Sequence, residues 1–322
     1  MKYPYYSNFK IYIEGMVEQK QSLGYPYVTS ERILRSFDEY CMTYFPNEYT
    51  LTSDIVMGWA ALRENEHSNG LLRRVTPVRQ LAKYMNSIGG DAYVLPSNIP
   101  KKQIRYVPHI FTSQELSAFF KAVDACPISP LSLGRHLVIP VFFRLLYCCG
   151  LRSSEARMLQ VSDMDFKSGS IFIRKSKGHK DRNIFLSDDM IHLCKVYHER
   201  IDFYYPNRTA FFPNQKGRFY NRSLINYWFH LFWDNLTIAK SHTGNPPRVH
   251  DFRHTFAVNR LNHWVNEGKD INAYLPYLSM YLGHENQADT DYYLHLVPEF
   301  FPVFRDKSRE ISENLLPEVD YE

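Results

Sequence analysis

A mainly α-helical chain in two domains, with one small β-hairpin or sheet in the second, is predicted by three observations. Apolar residues recur at helical spacing through most of the 322 residues. A proline-rich, basic, aperiodic stretch interrupts that pattern near residue 100. Between residues 170 and 186 the period falls to two, the spacing of a strand pair.

The first hundred residues predict a small bundle of four or five helices. Phe9, Tyr12, Ile13, Met16 and Val17 form an apolar stripe on the first helix. Ser30 is a candidate start for the second, which presents Ile33, Leu34 and Phe37 on one face. Thr52 or Ser53 opens a third through Met57, Ala60 and Leu62. A fourth runs from about Asn69 to Ile88 and ends at Gly89-Gly90. The segment from Pro96 to Pro108 then reads as a linker, and a domain boundary is expected near residue 106. Beyond it Thr112 or Ser113, with Glu115, predicts a capping-box helix start. Further on, Ser168-Gly169 makes a turn, Ser170–Arg174 alternates, Lys177-Gly178-His179-Lys180 forms a hairpin tip, and Arg182–Leu186 returns as the partner strand.

Composition narrows the class. Hydrophobic residues make up 44% and aromatics 16%, enough to bury a core and to exclude a disordered chain. No apolar run approaches the roughly 18 to 20 residues that span a bilayer, and the N-terminus lacks a signal-peptide core. A soluble cytoplasmic protein with no membrane partner is therefore expected. Five cysteines, an odd number without a C-x-x-C pair, predict free buried thiols. The net charge of +4 conceals a strong asymmetry. Residues 1–66 hold 6 basic and 9 acidic side chains, whereas 67–106 hold 7 basic and 1 acidic. The hairpin region 167–182 holds 6 basic and 1 acidic. Two basic zones, one in each domain, predict a clamp on a polyanion, with Arg73, Arg74, Arg79, Lys101, Lys102, Lys175 and Lys180 as candidate contacts.

Four segments carry candidate chemistry. Gly150-Leu151-Arg152-Ser153-Ser154-Glu155 follows a strongly apolar run, and Arg152 and Glu155 stand at i,i+3 spacing, fit for an ion pair. The hairpin tip presents Lys177. Arg248–Ala257 contains His250 and Arg253, also three apart, a pair able to hold an oxyanion beside an imidazole. The spacing of His250 and His254 is also that of a zinc helix, but Asp251 stands where the metalloprotease glutamate belongs and Arg253 would oppose a cation. The fourth segment, Leu282-Gly283-His284, is followed nine residues after the histidine by Tyr293 in Tyr-Leu-His.

As a set, Gly-Leu-Arg-Ser-Ser-Glu, the basic hairpin, His-Asp-Phe-Arg-His-Thr-Phe-Ala, Leu-Gly-His and Tyr-Leu-His resemble the tyrosine recombinase (phage integrase) family, similar to Xer-type and mobile-element site-specific recombinases. The resemblance covers residues 111 to 295 and fits the helical first domain in size and order. It implies an N-terminal SAM-like helical bundle that clamps DNA (1–106, with the basic linker), an α+β catalytic domain (107–302), and a tail (303–322) that docks on a neighbouring protomer. Ile311, Leu315 and Leu316 give that tail a small apolar stripe, and folding back on its own domain is the alternative.

The same resemblance implies roles for single residues. Arg152 and Arg253 match the arginines that grip the scissile phosphate, Lys177 the lysine that protonates the leaving 5′-oxygen, and His250 and His284 the family's two histidines. Tyr293 matches the nucleophile, with Tyr292 its adjacent rival, and Glu155 matches a supporting acid. Lys175 and Lys180 replace Lys177 if the hairpin register shifts. Two arginine forks suit a trigonal-bipyramidal phosphorane-like transition state, so neither metal nor other cofactor is implied. A cationic pocket is expected to favour the phenolate of a tyrosine. The implied partner is double-stranded DNA at two recombination sites, bound by a homotetramer or by partner recombinases, with strands exchanged through a Holliday junction. A topoisomerase of type IB or a non-catalytic DNA-binding accessory protein is the alternative. The tyrosines clustered at positions 3, 5, 6, 25 and 27 make the first domain idiosyncratic and point to a mobile element rather than chromosome-dimer resolution.

Overall fold

The computed structural model describes residues 4–100, 106–174, 181–238 and 246–296. The chain divides into two compact units, Met1–Tyr106 and Val107–Glu322. Among the described residues no helix is long and apolar enough to cross a membrane.

The first unit packs α1 (Lys10–Ser22), α2 (Val28–Tyr44), α3 (Ser53–Trp59) and α4 (Ser68–Ser87) around one core. The stripe of α1 is buried as its spacing requires: Phe9, Ile13, Met16 and Val17 face inward, meeting Leu34 and Phe37 of α2 and Val75, Val78 and Leu81 of α4. Two boundaries differ from expectation. Helix α2 begins two residues before Ser30, because Tyr27 turns the chain in the left-handed region (φ 54°) and its hydroxyl bonds Gln80. Helix α3 opens at Thr52, which accepts from the Ile55 amide, but ends at Trp59, three residues short of Leu62.

Arg74 explains that early end. Its guanidinium donates to the Trp59 carbonyl and, at 2.8 Å, to that of Ala61, capturing acceptors a longer helix would use. It also clasps Glu66 in a fork, Nε to Oε1 at 2.9 Å and Nη2 to Oε2 at 2.6 Å. Arg74 is therefore a buried structural arginine, a correction to its place among the DNA contacts. Arg79 is likewise spent in part at home, donating to the carbonyls of Leu95, Pro96 and Ile99 at the end of the unit. Arg73 is exposed, as a polyanion contact requires. Lys101 and Lys102 lie outside the described residues.

The second unit is built on α5 (Ser113–Asp124), α6 (Arg135–Cys148), α8 (Asp188–Tyr204), α9 (Arg222–Trp233) and α10 (Asp251–Asn266), with the five-residue α7 (Ser153–Arg157). The capping box that starts α5 is present: the Glu115 amide donates to Thr112 Oγ1 at 3.2 Å, and the Thr112 amide to Glu115 Oε2 at 2.8 Å. Phe111, Phe119, Phe143, Phe229 and Phe252 interlock edge-to-face and tilted at the centre. Removing one such ring from a close-packed core costs about 3–5 kcal/mol. A three-stranded antiparallel sheet stands beside the helices in the order β1 (Met164–Asp165), β2 (Ser170–Ile173), β3 (Arg182–Phe185). The hairpin was legible from its alternation; β1, two residues long, is too short to alternate. Ile171, Ile173 and Ile184 face the core while Phe172 and Phe185 face out.

Helices α11 (Ile271–Leu282) and α12 (Ala288–Asp291) follow α10, and the chain then enters a 3-10 turn, Tyr292–Leu296. This end has its own small core, in which Tyr293 packs with Ala257 and Leu261 of α10 and Leu275, Leu278 and Leu282 of α11. Of the five thiols Cys148 is exposed, against expectation, and the other four are buried. The tail 303–322 and the hairpin tip 175–180 lie outside the described residues.

Candidate active site

Two helix ends organise the site. Helix α6 stops at Cys149 and the chain reverses through Gly150 at φ 59°, where a Cβ would lie 2.5 Å from the Phe256 ring. Helix α11 stops at Gly283 at φ 66°. A glycine is needed at both, since the left-handed region strains any residue with a Cβ. The last carbonyls of a helix carry the negative end of its dipole and lack partners within the helix. Three arginines, from three different elements, occupy those of α11. Arg182 Nε donates to the Tyr281 carbonyl at 2.8 Å, Arg253 Nη2 to that of Leu282 at 2.5 Å, and Arg152 Nη2 to that of Gly283 at 2.7 Å. Arg253 Nη1 also reaches the Gly150 carbonyl at 2.8 Å, so it joins the ends of α6 and α11.

Arg253 is 1% exposed and both of these acceptors are neutral carbonyls. Burial, then the nearby Arg152 charge, lowers its pKa to about 10, so it stays cationic at neutral pH. Arg152 instead pairs with Glu155, Nη1 to Oε1 at 2.8 Å, the ion pair its spacing predicts. Glu155 also accepts from the Arg152 amide at 2.9 Å. Burial alone would raise the pKa of this carboxyl, but the hydrogen bonds and charge of Arg182, with those of Arg152, hold it down at about 2.

The imidazoles and the phenol lie against these arginines. His250 stands at the N-terminal boundary of α10 and meets His254 edge-to-face at 4.8 Å. His254 meets Tyr293 at 5.5 Å, and His284 stacks on Tyr293 at 6.1 Å. His284 is oriented by Thr290, Nδ1 to Oγ1 at 2.6 Å. Burial and the neighbouring cations, Arg253 first, lower His250 to about 4, although the residue is exposed to solvent where it lines the cleft. Burial followed by the charges of His250 and Arg248 lowers His254 to about 3. Both rings are neutral at pH 7 and can accept a proton. Tyr293 departs from the sequence expectation. Arg253 and Arg152 do favour its phenolate, but the side chain is 2% exposed, and burial raises its pKa overall. It is a phenol in this state.

Arg152, His250, Arg253, His284, Tyr293 and Glu155 thus come together, while Lys177, Lys175 and Lys180 lie outside the described residues. Beside Arg152 and His250 opens a cleft of about 410 Å³, lined also by Arg157, Arg222 and Arg248. Among the described residues no three His, Cys, Asp or Glu side chains are grouped to hold a metal ion. Sequence reasoning missed Arg182, Thr290 and the three cleft arginines, and weighed His254 only as a zinc ligand. Arg182 had a readable signal: it shares a sheet face with Ile184, two residues on, and an arginine in an inward strand position needs a counter-ion.

A helical unit followed by an α+β unit whose helix ends gather arginines and imidazoles around a phenol is an arrangement suited to phosphoryl transfer. Residues 110–299 match the model of the phage integrase family. The Sinorhizobium fredii protein y4rE, named as an integrase/recombinase, is 31% identical over 290 residues, covering 88% of this chain and 90% of its own length. Two solved structures share the fold. The XerH site-specific recombinase bound to palindromic difH substrate matches with a TM-score of 0.62 at 18% identity, over 88% of this chain and 78% of its own. The Tn1549 transposon integrase in complex with transposon right end DNA matches with a TM-score of 0.62 at 15% identity, over 94% and 99%. The chain belongs to the phage integrase family, the tyrosine recombinases. It is a site-specific DNA recombinase, an enzyme that cuts and rejoins DNA strands.

Proposed function

We propose that Tyr293 is the nucleophile of strand cleavage and that Arg152 and Arg253 hold the scissile phosphate. The observation that carries this reading is the gathering of both guanidiniums at the carbonyl end of α11, with Tyr293 packed on the same helix. Tyr293 Oη attacks phosphorus as the bond to the 5′-oxygen breaks. The phenolic proton passes to a neutral imidazole of the cluster, and Lys177 supplies a proton to the leaving 5′-oxygen. The arginines stabilise the charge that grows on the non-bridging oxygens. The product is a 3′-phosphotyrosyl link and a free 5′-hydroxyl. Because the link keeps the bond energy, a 5′-hydroxyl from another strand can reverse the step without ATP.

His250 and His284 hold or move protons at the phosphate, and Glu155 orients Arg152. Arg157, Arg222 and Arg248 extend the cationic cleft along the DNA backbone. Residues 1–106 grip the duplex with Arg73, Arg79, Lys101 and Lys102, residues 107–302 carry the chemistry, and residues 303–322 dock on a neighbouring protomer of a homotetramer. Likeness to a transposon integrase supports integration and excision of a mobile element.

The test is a nicked suicide duplex, on which cleavage traps the covalent complex. Tyr293→Phe should bind the duplex as the wild type does and form no complex, while Tyr292→Phe should still form it. A Tyr293→Phe protein that remains covalently attached to DNA would refute the assignment.

A further inference from the structure

The Glu155 carboxylate accepts four hydrogen bonds. Oε1 receives Arg152 Nη1 at 2.8 Å and Arg182 Nη1 at 2.9 Å; Oε2 receives the Arg152 amide at 2.9 Å and Arg182 Nη2 at 2.9 Å. Four bonds fill the acceptor capacity of a carboxylate. The two partners are not equivalent. Arg182 offers the parallel two-nitrogen fork that is the strongest carboxylate contact, whereas Arg152 contributes one guanidinium nitrogen and turns another to Gly283. Arg182 is locked from its other side by the Tyr281 carbonyl, and Gly283 must lack a side chain because a Cβ there would lie 2.8 Å from Arg182 Nη1. With all three nitrogens engaged inside the protein, Arg182 stands behind Glu155, while Arg152 lines the cleft.

The charge count gives this arrangement its meaning. Arg152 and Glu155 alone would form a neutral pair with little attraction left for a phosphate. Adding Arg182 on the far side of the carboxylate makes a trio with one net positive charge, and only its Arg152 end faces the cleft.

We infer that Arg182 is a positioning residue for strand cleavage: it saturates and neutralises Glu155, so that Arg152 is held in place by that carboxylate yet keeps its positive charge for the scissile phosphate. The inference rests on Arg152 gripping that phosphate, and it adds a residue that acts through Glu155 without touching DNA.

A rescue cycle tests it, reading the rate of covalent-complex formation on the nicked suicide duplex for wild type, Arg182→Gln, Glu155→Gln and the double variant. Arg182→Gln should cleave about 100-fold more slowly with DNA binding intact, because the unopposed carboxylate now cancels Arg152. Adding Glu155→Gln should recover at least about tenfold, since the cancelling charge is gone. A merely structural arginine gives the opposite pattern, a double variant as slow as Arg182→Gln or slower, and that result would overturn the inference. So would an Arg182→Gln rate within about threefold of wild type. A second measurement uses a duplex with a methylphosphonate at the scissile position, which carries one negative charge fewer. There the deficit of Arg182→Gln should shrink about tenfold, and an unchanged deficit would sink the charge argument. If the glutamine variant does not melt cooperatively, Arg182→Met, which also removes the charge, takes its place in the methylphosphonate comparison with the same two outcomes. Arg152→Ala is the separate control: wild-type cleavage by that protein would break the phosphate-grip reading itself, whatever the Arg182 variants do.

Discussion

Both units of this recombinase bury arginines, and Arg74 of the first and Arg253 of the second are held in opposite ways. Arg74 of the first unit is clasped by the Glu66 carboxylate through two bonds, and its remaining donors close the end of α3. Arg253 of the second unit bonds two neutral carbonyls at helix ends. The first is a charge neutralised for stability. The second is solvated by dipoles, which hold a cation in place without cancelling it. A residue type therefore does not reveal its role; the whole set of partners around it does.

The largest expected effect breaks the contrast at its catalytic end. Arg253→Ala should slow covalent-complex formation by about a thousandfold or more, with binding to a duplex changed far less. Equal losses in cleavage and binding would reduce Arg253 to a DNA anchor. At the other end, Arg74→Ala should cost the first unit about 1–3 kcal/mol, measured by chemical denaturation, because half-buried Glu66 and the carbonyls of Trp59 and Ala61 lose their donor. Adding Glu66→Gln should restore much of that loss; no restoration would mean that Arg74 acts by packing alone.

The smallest effect concerns protons. The first unit carries one histidine, His67, which is exposed. The second carries His254 beside His250, Arg248, Arg253 and His284, with its pKa lowered to about 3. Its unfolded value is about 6.5. Between these values the unfolded chain binds more protons, so the contribution of His254 to stability is complete above pH 6.5 and is lost as pH falls towards 3. The melting temperature of the second unit should drop below pH 6.5, and His254→Asn should flatten that drop. An identical pH profile in the variant would assign the loss to other groups.

Much of the fold was legible in the sequence because it is local. The apolar spacing in α1, the Thr112–Glu115 capping box and the alternation of β2 and β3 each depend on residues within a few positions of one another. The Arg152–Glu155 pair was legible for the same reason. The reach of Arg74 was not: Trp59 and Glu66 lie fifteen and eight residues away, on other turns of the fold. The state of Tyr293 was misjudged because burial, which outweighs the two nearby arginines, is a property of the packed core and not of any motif.

By itself the sequence determined the two-unit helical plan, the hairpin of β2 and β3, and the residue types from which a phosphoryl-transfer site can be made. Spacing and chemistry suffice for that, since periodicity reports which face a residue occupies and motifs report what it can do. Only the tertiary structure decided which carbonyl or carboxylate each arginine meets. The contacts between Arg152 and Gly283, between Arg253 and Gly150, and between Arg182 and Glu155 span 131, 103 and 27 residues. No local rule couples positions so far apart. They meet because α11 ends against the reversal that follows α6, and two glycines let those helix ends come close enough to share Arg253, with Arg152 and Arg182 bonded to the carbonyls of α11 beside it.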